Sequence, residues 1–361
     1  MINIKVDLGE NSYEIIIGHK SLPELGARLK TLGLGDDAVI ITNPVVRQLH
    51  GRALSTSLKK GGFTIKFFEV PDGEESKSAA QAFNLIEQVA SYNVKRKIFI
   101  LAFGGGVIGD LAGYVAAAYR RGIPYVQIPT TFLAQIDSAI GGKVAIDLPT
   151  GKNLVGAFYQ PRLVFSDVSL LSTLDQRQIR NGLAEVIKYG AICDRNFFEY
   201  IHNNIEKLLA LDAKALQEVV ASCSRIKARI VMKDERESKG MRTILNFGHT
   251  IGHAIETANR YKDYQHGEAV ALGMRVAAGL SVRLGFIGPN SVEKLNAVIT
   301  AAGLPERIKY VSLTDIMKYM EHDKKFSGKK NRFVLLTAIG SVKVAEGVEP
   351  KEIEAAIQDV M

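Results

Sequence analysis

The spacing of apolar residues differs between the two halves of the chain. The first half alternates short β-rich runs with stretches of helical periodicity such as 78–92 and 111–120. The β-rich runs are DAVIIT (37–42), FTIKFFEV (63–70), KIFILAFG (97–104), YVQIPT (125–130) and RLVFSD (162–167). This alternation is typical of a largely parallel sheet that is covered by helices.

From about Leu171 long amphipathic helical patterns replace the strands, and a strand pair at 332–347 precedes a final helix. We therefore predict an α/β domain with a mostly parallel sheet over residues 1–170 and a mainly α-helical domain over 171–361. No segment rich in Gly, Pro or Ser separates the two. The domains are expected to pack tightly, with the active site in the cleft between them.

Composition is that of an ordinary soluble globular protein, with 361 residues, 47% hydrophobic and 23% charged. The two cysteines, Cys193 and Cys223, lie far apart and form no CxxC spacing, so neither a disulfide framework nor a thiolate metal site is indicated. The N-terminal segment resembles a β-hairpin rather than a signal peptide, and no apolar run approaches the length of a membrane span. We expect a soluble cytoplasmic protein that does not contact a membrane.

The net charge of +8, from 46 Lys and Arg against 38 Asp and Glu, raises the question of nucleic-acid binding. The basic runs, at 95–97 and 324–332, are short, contain few aromatic residues and match no helix-turn-helix, RRM or zinc-finger spacing. The sequence therefore argues against a nucleic-acid partner. A basic excess of this kind also suits a small anionic substrate.

Three of the seven histidines lie in one short segment, NFGHTIGHAIETANRYKDYQHGE (246–268). His249 and His253 are four residues apart, so they share one face of a helix, and His266 begins a second helical run. Imidazole is a good ligand for zinc and related divalent ions, and a catalytic ion takes three protein ligands and an open position. A carboxylate could replace one of the three histidines.

This cluster has two interpretations that the spacing alone leaves open. A His pair at i and i+4 also occurs as two hydrogen-bonded residues on a helix with no metal ion. Position 250 is Thr, so the segment lacks the general-base glutamate of an HExxH motif. A metalloprotease of that kind is excluded.

A glycine-rich segment follows the run KIFILAFG and precedes a helical pattern. Gly104, Gly106 and Gly109 satisfy G-x-G-x-x-G in the strand-loop-helix setting that this motif requires. A pyrophosphate could bind the amides at the start of the helix. No acidic residue lies between Asp110 and Asp137, where the ribose-binding carboxylate of such a site is expected.

The turn PDGEESK (71–77) is a candidate replacement for that carboxylate. Asp72 and Glu74, beside Gly73, could bind ribose hydroxyls, and Lys77 could bind a phosphate. The same turn could instead be a solvated loop that caps the next helix.

Two further sets of charged residues have a functional and a structural interpretation. Lys143 and Lys152 lie in glycine-flanked loops, where they could contact an anion or simply be solvated. Glu185 and Lys188 are three residues apart on an apolar helical stretch, either as an intrahelical ion pair or as part of a site that faces a cleft.

These segments and their order resemble the 3-dehydroquinate synthase family, within the sugar phosphate cyclases, over nearly the full length of the chain. The shared motifs are PDGEESK, GGGVIGDLAGYVAAAYRRG, IPTTFLAQIDSAIGGKVAID, GKNLVGAFYQP, NGLAEVIKYG, DERESKGMRTILNFGHTIGHAIE and YQHGEAVALGM. Each motif is weak alone, and together they are highly specific.

The resemblance implies a divalent metal ion, zinc or cobalt, bound by Glu185, His249 and His266. It implies NAD bound by a set of loop residues, namely Asp72, Gly73, Glu74, Lys77, Gly105, Gly106, Val107, Asp110, Thr130, Thr131, Lys143, Lys152 and Thr173. It implies substrate contacts from Asp137, Lys143, Lys152, Asn153, Lys188, Lys227, Arg242, Asn246, His253 and Lys325, with Lys324 as the alternative to Lys325. Arg121 is implied to reach the phosphate site of the partner in a homodimer.

The implied reaction converts 3-deoxy-D-arabino-heptulosonate 7-phosphate to 3-dehydroquinate and phosphate, a step of the shikimate pathway in aromatic amino acid biosynthesis. It proceeds by transient oxidation with NAD, β-elimination of phosphate, re-reduction and intramolecular aldol closure, and so belongs to the carbon-oxygen lyases. Two alternatives remain at this point. They are a metal-dependent polyol dehydrogenase, which would release NADH, and another sugar phosphate cyclase, whose substrate lacks the carboxylate.

Overall fold

The computed structural model describes residues 1–92, 97–321 and 331–361. Contacts between Cα atoms divide the chain into two compact units. The first comprises Met1–Leu174 and Leu216–Arg236, and the second comprises Asp175–Ala215 and Glu237–Met361.

The described residues form strands and helices with the following bounds. The strands are β1 (Ile2–Val6), β2 (Tyr13–Gly18), β3 (Asp37–Thr42), β4 (Thr64–Glu69), β5 (Ile98–Gly104), β6 (Tyr125–Pro129), β7 (Lys143–Leu148), β8 (Gly151–Phe158), β9 (Leu163–Asp167), β10 (Arg332–Ala338) and β11 (Ser341–Glu346). The helices are α1 (Leu25–Leu32), α2 (Pro44–Lys60), α3 (Ala79–Ser91), α4 (Gly106–Ala118), α5 (Gln176–Cys193), α6 (Arg195–Leu209), α7 (Ala213–Lys233), α8 (His249–Ala258), α9 (His266–Arg283), α10 (Pro289–Ala301), α11 (Leu313–Glu321) and α12 (Pro350–Gln358).

The first unit contains a seven-stranded sheet in the order β1-β2-β9-β6-β5-β3-β4. Every neighbouring pair is parallel except β1 and β2, which form an antiparallel hairpin. The predicted parallel α/β architecture is therefore confirmed. Strands of such a sheet are apolar throughout because helices cover both faces, and every residue of β3, β5, β6 and β9 is buried.

Two buried clusters lie on opposite faces of this sheet. Ile41 packs in the cluster that contains Leu111 of α4, whereas its neighbour Ile40 packs in the cluster that contains Leu54 of α2. This alternation follows from the two-residue period of a strand. The carboxyl ends of the parallel strands consequently lie along one edge, where ligands bind in sheets of this kind.

A second, antiparallel sheet was not expected in the first unit. The sequence interpretation placed Lys143 and Lys152 in loops, but they lie on β7 and β8, which pair with Lys143 opposite Phe158. The frequent glycines conceal the strand pattern in this segment. Within KVAIDL, however, Val144 and Ile146 alternate with more exposed positions as a strand requires.

The second unit is mainly helical, as predicted. Helix α5 packs against α6 and α9, and α8 packs against α9 and α11. The predicted strand pair is present as the antiparallel hairpin β10-β11. In the part of the chain that the structure describes, no helix is both long enough and apolar enough to cross a membrane.

Helices α8 and α9 approach each other so closely that their contact requires glycine. A Cβ atom on Gly273 of α9 would lie 1.9 Å from the carbonyl oxygen of Gly248 and 2.9 Å from the amide nitrogen of Gly252. Gly248 directly precedes α8, and Gly252 lies within it. Helix α8 also carries His249 and His253. The close packing therefore fixes the histidine-bearing helix on the helix that begins with His266.

We expect Gly273→Ala to destabilise the protein by about 1–3 kcal/mol, because the added methyl group must push two helix backbones apart. Gly279→Ala on the same helix is the matched control, since its added Cβ would have no neighbour within 4 Å. The control should stabilise by up to about 1 kcal/mol through helix propensity. Unfolding by denaturant measures both, and equal effects would contradict the proposed role of the close contact.

Candidate active site

Three side chains from three different helices of the second unit converge on one point. Glu185 lies in the middle of α5, and His249 and His266 are the first residues of α8 and α9. Oε1 of Glu185 lies 3.3 Å from Nε2 of His249 and 3.5 Å from Nε2 of His266. Each residue offers a ligand atom within 4.8 Å of the other two, which is the spacing of a metal site.

The first turn of α9, which carries His266, is tied to α5, which carries Glu185. Asn181 of α5 accepts a hydrogen bond from the amide of Gly267. Arg177, one turn earlier, donates to both carboxylate oxygens of Glu268 at 2.8 and 2.7 Å. Because Arg177, Asn181 and Glu185 are spaced by four residues, they lie along one face of α5.

The protonation states of Glu185 and His249 suit a divalent metal ion. Burial acts to raise the pKa of the Glu185 carboxyl, but Lys188 and His249 lower that pKa well below its ordinary value. Burial and the nearby Lys188 lower the pKa of His249 well below its usual range. The site therefore offers an ionised carboxylate and a neutral imidazole, which are the forms that bind a divalent ion.

The hydrogen bonds of these residues also fit a metal ion. Glu185 is fully buried, and its two oxygens accept no hydrogen bond from the described residues, although Lys188 Nζ contacts Oε2. His249 places Nδ1 3.2 Å from the carbonyl oxygen of Phe247. If Nδ1 carries the proton, the lone pair of Nε2 faces the Glu185 carboxylate, which is also an acceptor. A metal ion would satisfy the remaining valences of both side chains.

His253 and Glu256 extend the cluster along α8. The ring of His253 lies 5.3 Å from that of His249 and 6.0 Å from that of His266, between centroids. Glu256 was missed by the sequence interpretation, although the spacing of His249, His253 and Glu256 by four and three residues places all three on one helix face. His253, Glu256 and His266 form a second group with metal-ligand spacing.

Two further predicted residues lie in the turn Met241–Asn246, which precedes α8. Arg242 is 4% exposed, and its Nη1 lies 3.8 Å from Oε1 of Glu237. Asn246 is half-buried at the end of the turn. Arg242 and Asn246 thus belong to the second unit, as His249 does.

The glycine-rich segment of the first unit has the predicted strand-loop-helix form. Strand β5 ends at Gly104, α4 begins at Gly106, and the amide of Thr130 donates to the carbonyl of Gly104 at 2.9 Å. A Cβ on Gly105 would lie 2.9 Å from Cγ2 of Thr131. The start of α4 thus has no room for a larger side chain and has no side-chain cap, which leaves its amides for a ligand.

Lys77 is the buried centre of a polar network beside this helix. It is 4% exposed, and its Nζ lies 2.5 Å from Oδ2 of Asp110 and also donates to Oδ1 of Asn153. Burial raises the pKa of Asp110 even though Lys77 acts to lower it. The amide of Asn153 in turn donates to Asp147 at 2.7 Å. The network links three predicted site residues of separate motifs.

Other predicted cofactor residues lie near the ends of the strands. Asp72 accepts a hydrogen bond of 2.6 Å from Asn43, which caps α2 and which the sequence interpretation missed. Glu74 lies 3.6 Å from Lys152 Nζ. The Thr173 hydroxyl lies 3.0 Å from Nε2 of His50.

Lys227 and Asp137 form a close ion pair although 90 residues separate them. Lys227 Nζ contacts Oδ1 of Asp137 and donates to its carbonyl oxygen at 2.7 Å. Asp137 lies in a single π-helical turn, Ala134–Ser138, a type of irregularity that is frequent at functional sites.

The remaining predicted residues lie apart from these groups or outside the described residues. Arg121 is exposed after α4, with φ of 63°. Lys324 and Lys325 lie outside the described residues.

Comparison with known proteins identifies relatives over the whole chain. Two family models match, described as the N-terminal part of 3-dehydroquinate synthase over residues 67–181 and its C-terminal part over 182–326. A protein of Desulforamulus reducens named 3-dehydroquinate synthase is 44% identical, and the alignment covers 99% of both chains.

Solved structures agree with this family. A 2-deoxy-scyllo-inosose synthase complexed with carbaglucose-6-phosphate, NAD+ and Co2+ is 27% identical, covers 100% of both chains and has a TM-score of 0.91. The 2-epi-5-epi-valiolone synthase of Streptomyces hygroscopicus, with NAD+ and Zn2+ bound, is 26% identical, covers 98% of both chains and has a TM-score of 0.88.

We expect Glu185→Ala and His249→Ala to lose bound Zn2+, because each removes one of three ligands. His202→Ala is the matched control, since His202 is exposed on α6 and lies outside the cluster. Metal content after equilibration with Zn2+ and the circular dichroism spectrum give the result. Full zinc occupancy in both folded variants would show that these residues are not the ligands.

Proposed function

The chain belongs to the 3-dehydroquinate synthase family, and we propose on that basis that it converts 3-deoxy-D-arabino-heptulosonate 7-phosphate to 3-dehydroquinate and phosphate. The observation that supports this most directly is the convergence of Glu185, His249 and His266 in a chain that also carries a glycine-rich nucleotide loop. A reaction of this kind needs both a metal ion and a nucleotide.

We propose that Glu185, His249 and His266 hold zinc or cobalt and that the loops at the strand ends of the first unit hold NAD. When bound, NAD+ would accept and return a hydride, and the metal ion would act as a Lewis acid toward the substrate hydroxyls. The relatives with NAD+ and Co2+ or Zn2+ support this assignment. In the first unit, Lys77 would neutralise phosphate charge near the start of α4.

The proposed roles of the basic residues follow from the two anionic ends of the substrate. Lys152, Asn153 and Lys325, together with Arg121 of the partner subunit, would bind the phosphate and stabilise the charge that develops as it leaves. Lys227 and Arg242 would hold the carboxylate. Arg242 suits this role because a guanidinium can bind a carboxylate through two parallel hydrogen bonds.

Four polar residues would act on the carbon skeleton and its hydroxyls. His253 is the candidate for moving protons, since it lies beside the ligand histidines but is not needed as a ligand in the Glu185 group. Lys188, Asn246 and Asp137 would orient hydroxyl groups.

The proposed reaction is a carbon-oxygen lyase reaction without net redox change, because the hydride that leaves the substrate returns to it. We propose a cytoplasmic setting, where the thiols of Cys193 and Cys223 would stay reduced. A homodimer is part of the proposal because Arg121 is assigned to the neighbouring subunit.

We expect catalytic amounts of NAD+ to support many turnovers of phosphate release without accumulation of NADH. The reason is that oxidation serves only to acidify the proton that is lost during elimination. Phosphate release and absorbance at 340 nm, followed together, give the result. Stoichiometric NADH would favour a polyol dehydrogenase, and turnover of a substrate without a carboxylate would favour another sugar phosphate cyclase.

We expect Arg121→Ala to weaken substrate binding by about 2 kcal/mol, roughly 30-fold, while NAD and metal binding stay intact. A charge-assisted contact to phosphate would be lost. Arg120→Ala is the matched control, since the adjacent Arg120 is also exposed.

Mixing Arg121→Ala and Glu185→Ala subunits, at a substrate concentration too low for the Arg121→Ala homodimer to turn over, tests whether Arg121 acts in trans. A mixed dimer would contain one doubly damaged site and one intact site, so activity should return after subunit exchange. If mixed dimers form and stay inactive, Arg121 does not serve the neighbouring site.

A further inference from the structure

The imidazole of His266 lies between two carboxylates, one on each side of the ring. Its Nε2 lies 3.5 Å from Oε1 of Glu185, and its Nδ1 lies 3.3 and 3.4 Å from the two oxygens of Glu256. A metal ion bound to one nitrogen of this ring would therefore reach only the carboxylate on that side.

The geometry separates their roles. Glu185 is 0% exposed, its Oε2 contacts Lys188 Nζ, and its Oε1 faces Nε2 of both His249 and His266, so a metal ion there would bind all three residues. Glu256 is 7% exposed and faces the opposite ring nitrogen. An ion on the Glu185 side would also receive Nε2 of His249, whereas an ion on the Glu256 side would leave Glu185 without one.

We propose that Glu256 is a positioning residue that accepts the Nδ1 proton of His266 and thereby presents Nε2 to the metal ion. This inference rests on the metal site of the proposed function. A carboxylate in this position fixes the tautomer and the ring orientation and increases the basicity of the ligating nitrogen.

The two histidine ligands then use different acceptors for the same purpose. Nδ1 of His249 is matched by the backbone carbonyl of Phe247, at 3.2 Å, which no side-chain substitution removes. Nδ1 of His266 depends on a side chain of another helix. Because Glu256 and His249 are both on α8, which packs closely on α9, one helix supplies a ligand and the support for a second ligand.

The test compares Glu256→Ala and Glu256→Gln with the unsubstituted protein in Zn2+ affinity, measured by competition with a chromophoric chelator. We expect Glu256→Ala to lose about 10- to 100-fold in affinity. Glu256→Gln should keep most of it, because the amide oxygen still accepts the Nδ1 proton. Unchanged affinity in Glu256→Ala, or equal losses in both variants, would overturn the proposal.

A second measurement reports the tautomer directly. In zinc-loaded protein labelled with 15N-histidine, His266 should be protonated at Nδ1 in the unsubstituted and Glu256→Gln proteins, and the signal of that proton should be lost to solvent exchange in Glu256→Ala. Glu268→Gln is the matched control, because it loosens the first turn of α9 without touching the ring. The proposal fails if Glu268→Gln reproduces the loss of the proton signal.

The stoichiometry separates failure of this inference from failure of the proposed function. One Zn2+ per chain, retained with lower affinity in Glu256→Ala, supports both. Absence of Zn2+ binding in the unsubstituted protein would overturn the proposed metal site. Two ions per chain, reduced to one in Glu256→Ala, would leave the first site intact and make Glu256 a ligand, which overturns the positioning role.

Discussion

The burial of the Glu185 carboxylate is the constraint on which the second unit depends. Removing a carboxylate from water costs several kcal/mol unless opposite charge and hydrogen bonds replace the lost hydration. Lys188 on the same helix supplies part of that charge, and the two histidines place Nε2 3.3 and 3.5 Å from Oε1 of the carboxylate. The side chain is stable in its ionised form only while α5, α8 and α9 hold their present arrangement.

The packing of these helices meets that requirement through backbone contacts. The Asn181–Gly267 hydrogen bond and the glycine contact between α8 and α9 both position helix starts, where His266 and His249 lie. Helix starts suit this task because the chain direction changes there, so the two histidines can face a carboxylate in the middle of a third helix. In the first unit, the buried Lys77 similarly holds two polar side chains together. Its Nζ contacts the carboxylate of Asp110 and donates to the side-chain oxygen of Asn153.

The sequence predicted those parts of the molecule that a local pattern encodes. Fully apolar strands such as β3 and β5 reveal a parallel sheet covered on both faces, and the spacing of His249 and His253 reveals a shared helix face. The hairpin β7-β8 was not predicted because its glycines conceal the alternation of apolar and polar residues. Asn181 and Glu256 were not predicted for another reason. Each contacts a residue of a different helix, Gly267 and His266 respectively, and only the tertiary structure shows these contacts. The roles of individual site residues stay predictions.

The division into two units is also a property of the tertiary structure that no local pattern encodes. The segment Leu216–Arg236 belongs with Met1–Leu174, so the chain passes between the units three times and no single linker marks a boundary. This segment carries Lys227 to Asp137 in the first unit, whereas Arg242, a few residues later, belongs to the second. Lys227 and Arg242 therefore belong to different units although they are close in sequence, which is why no pattern along the chain marks a single division.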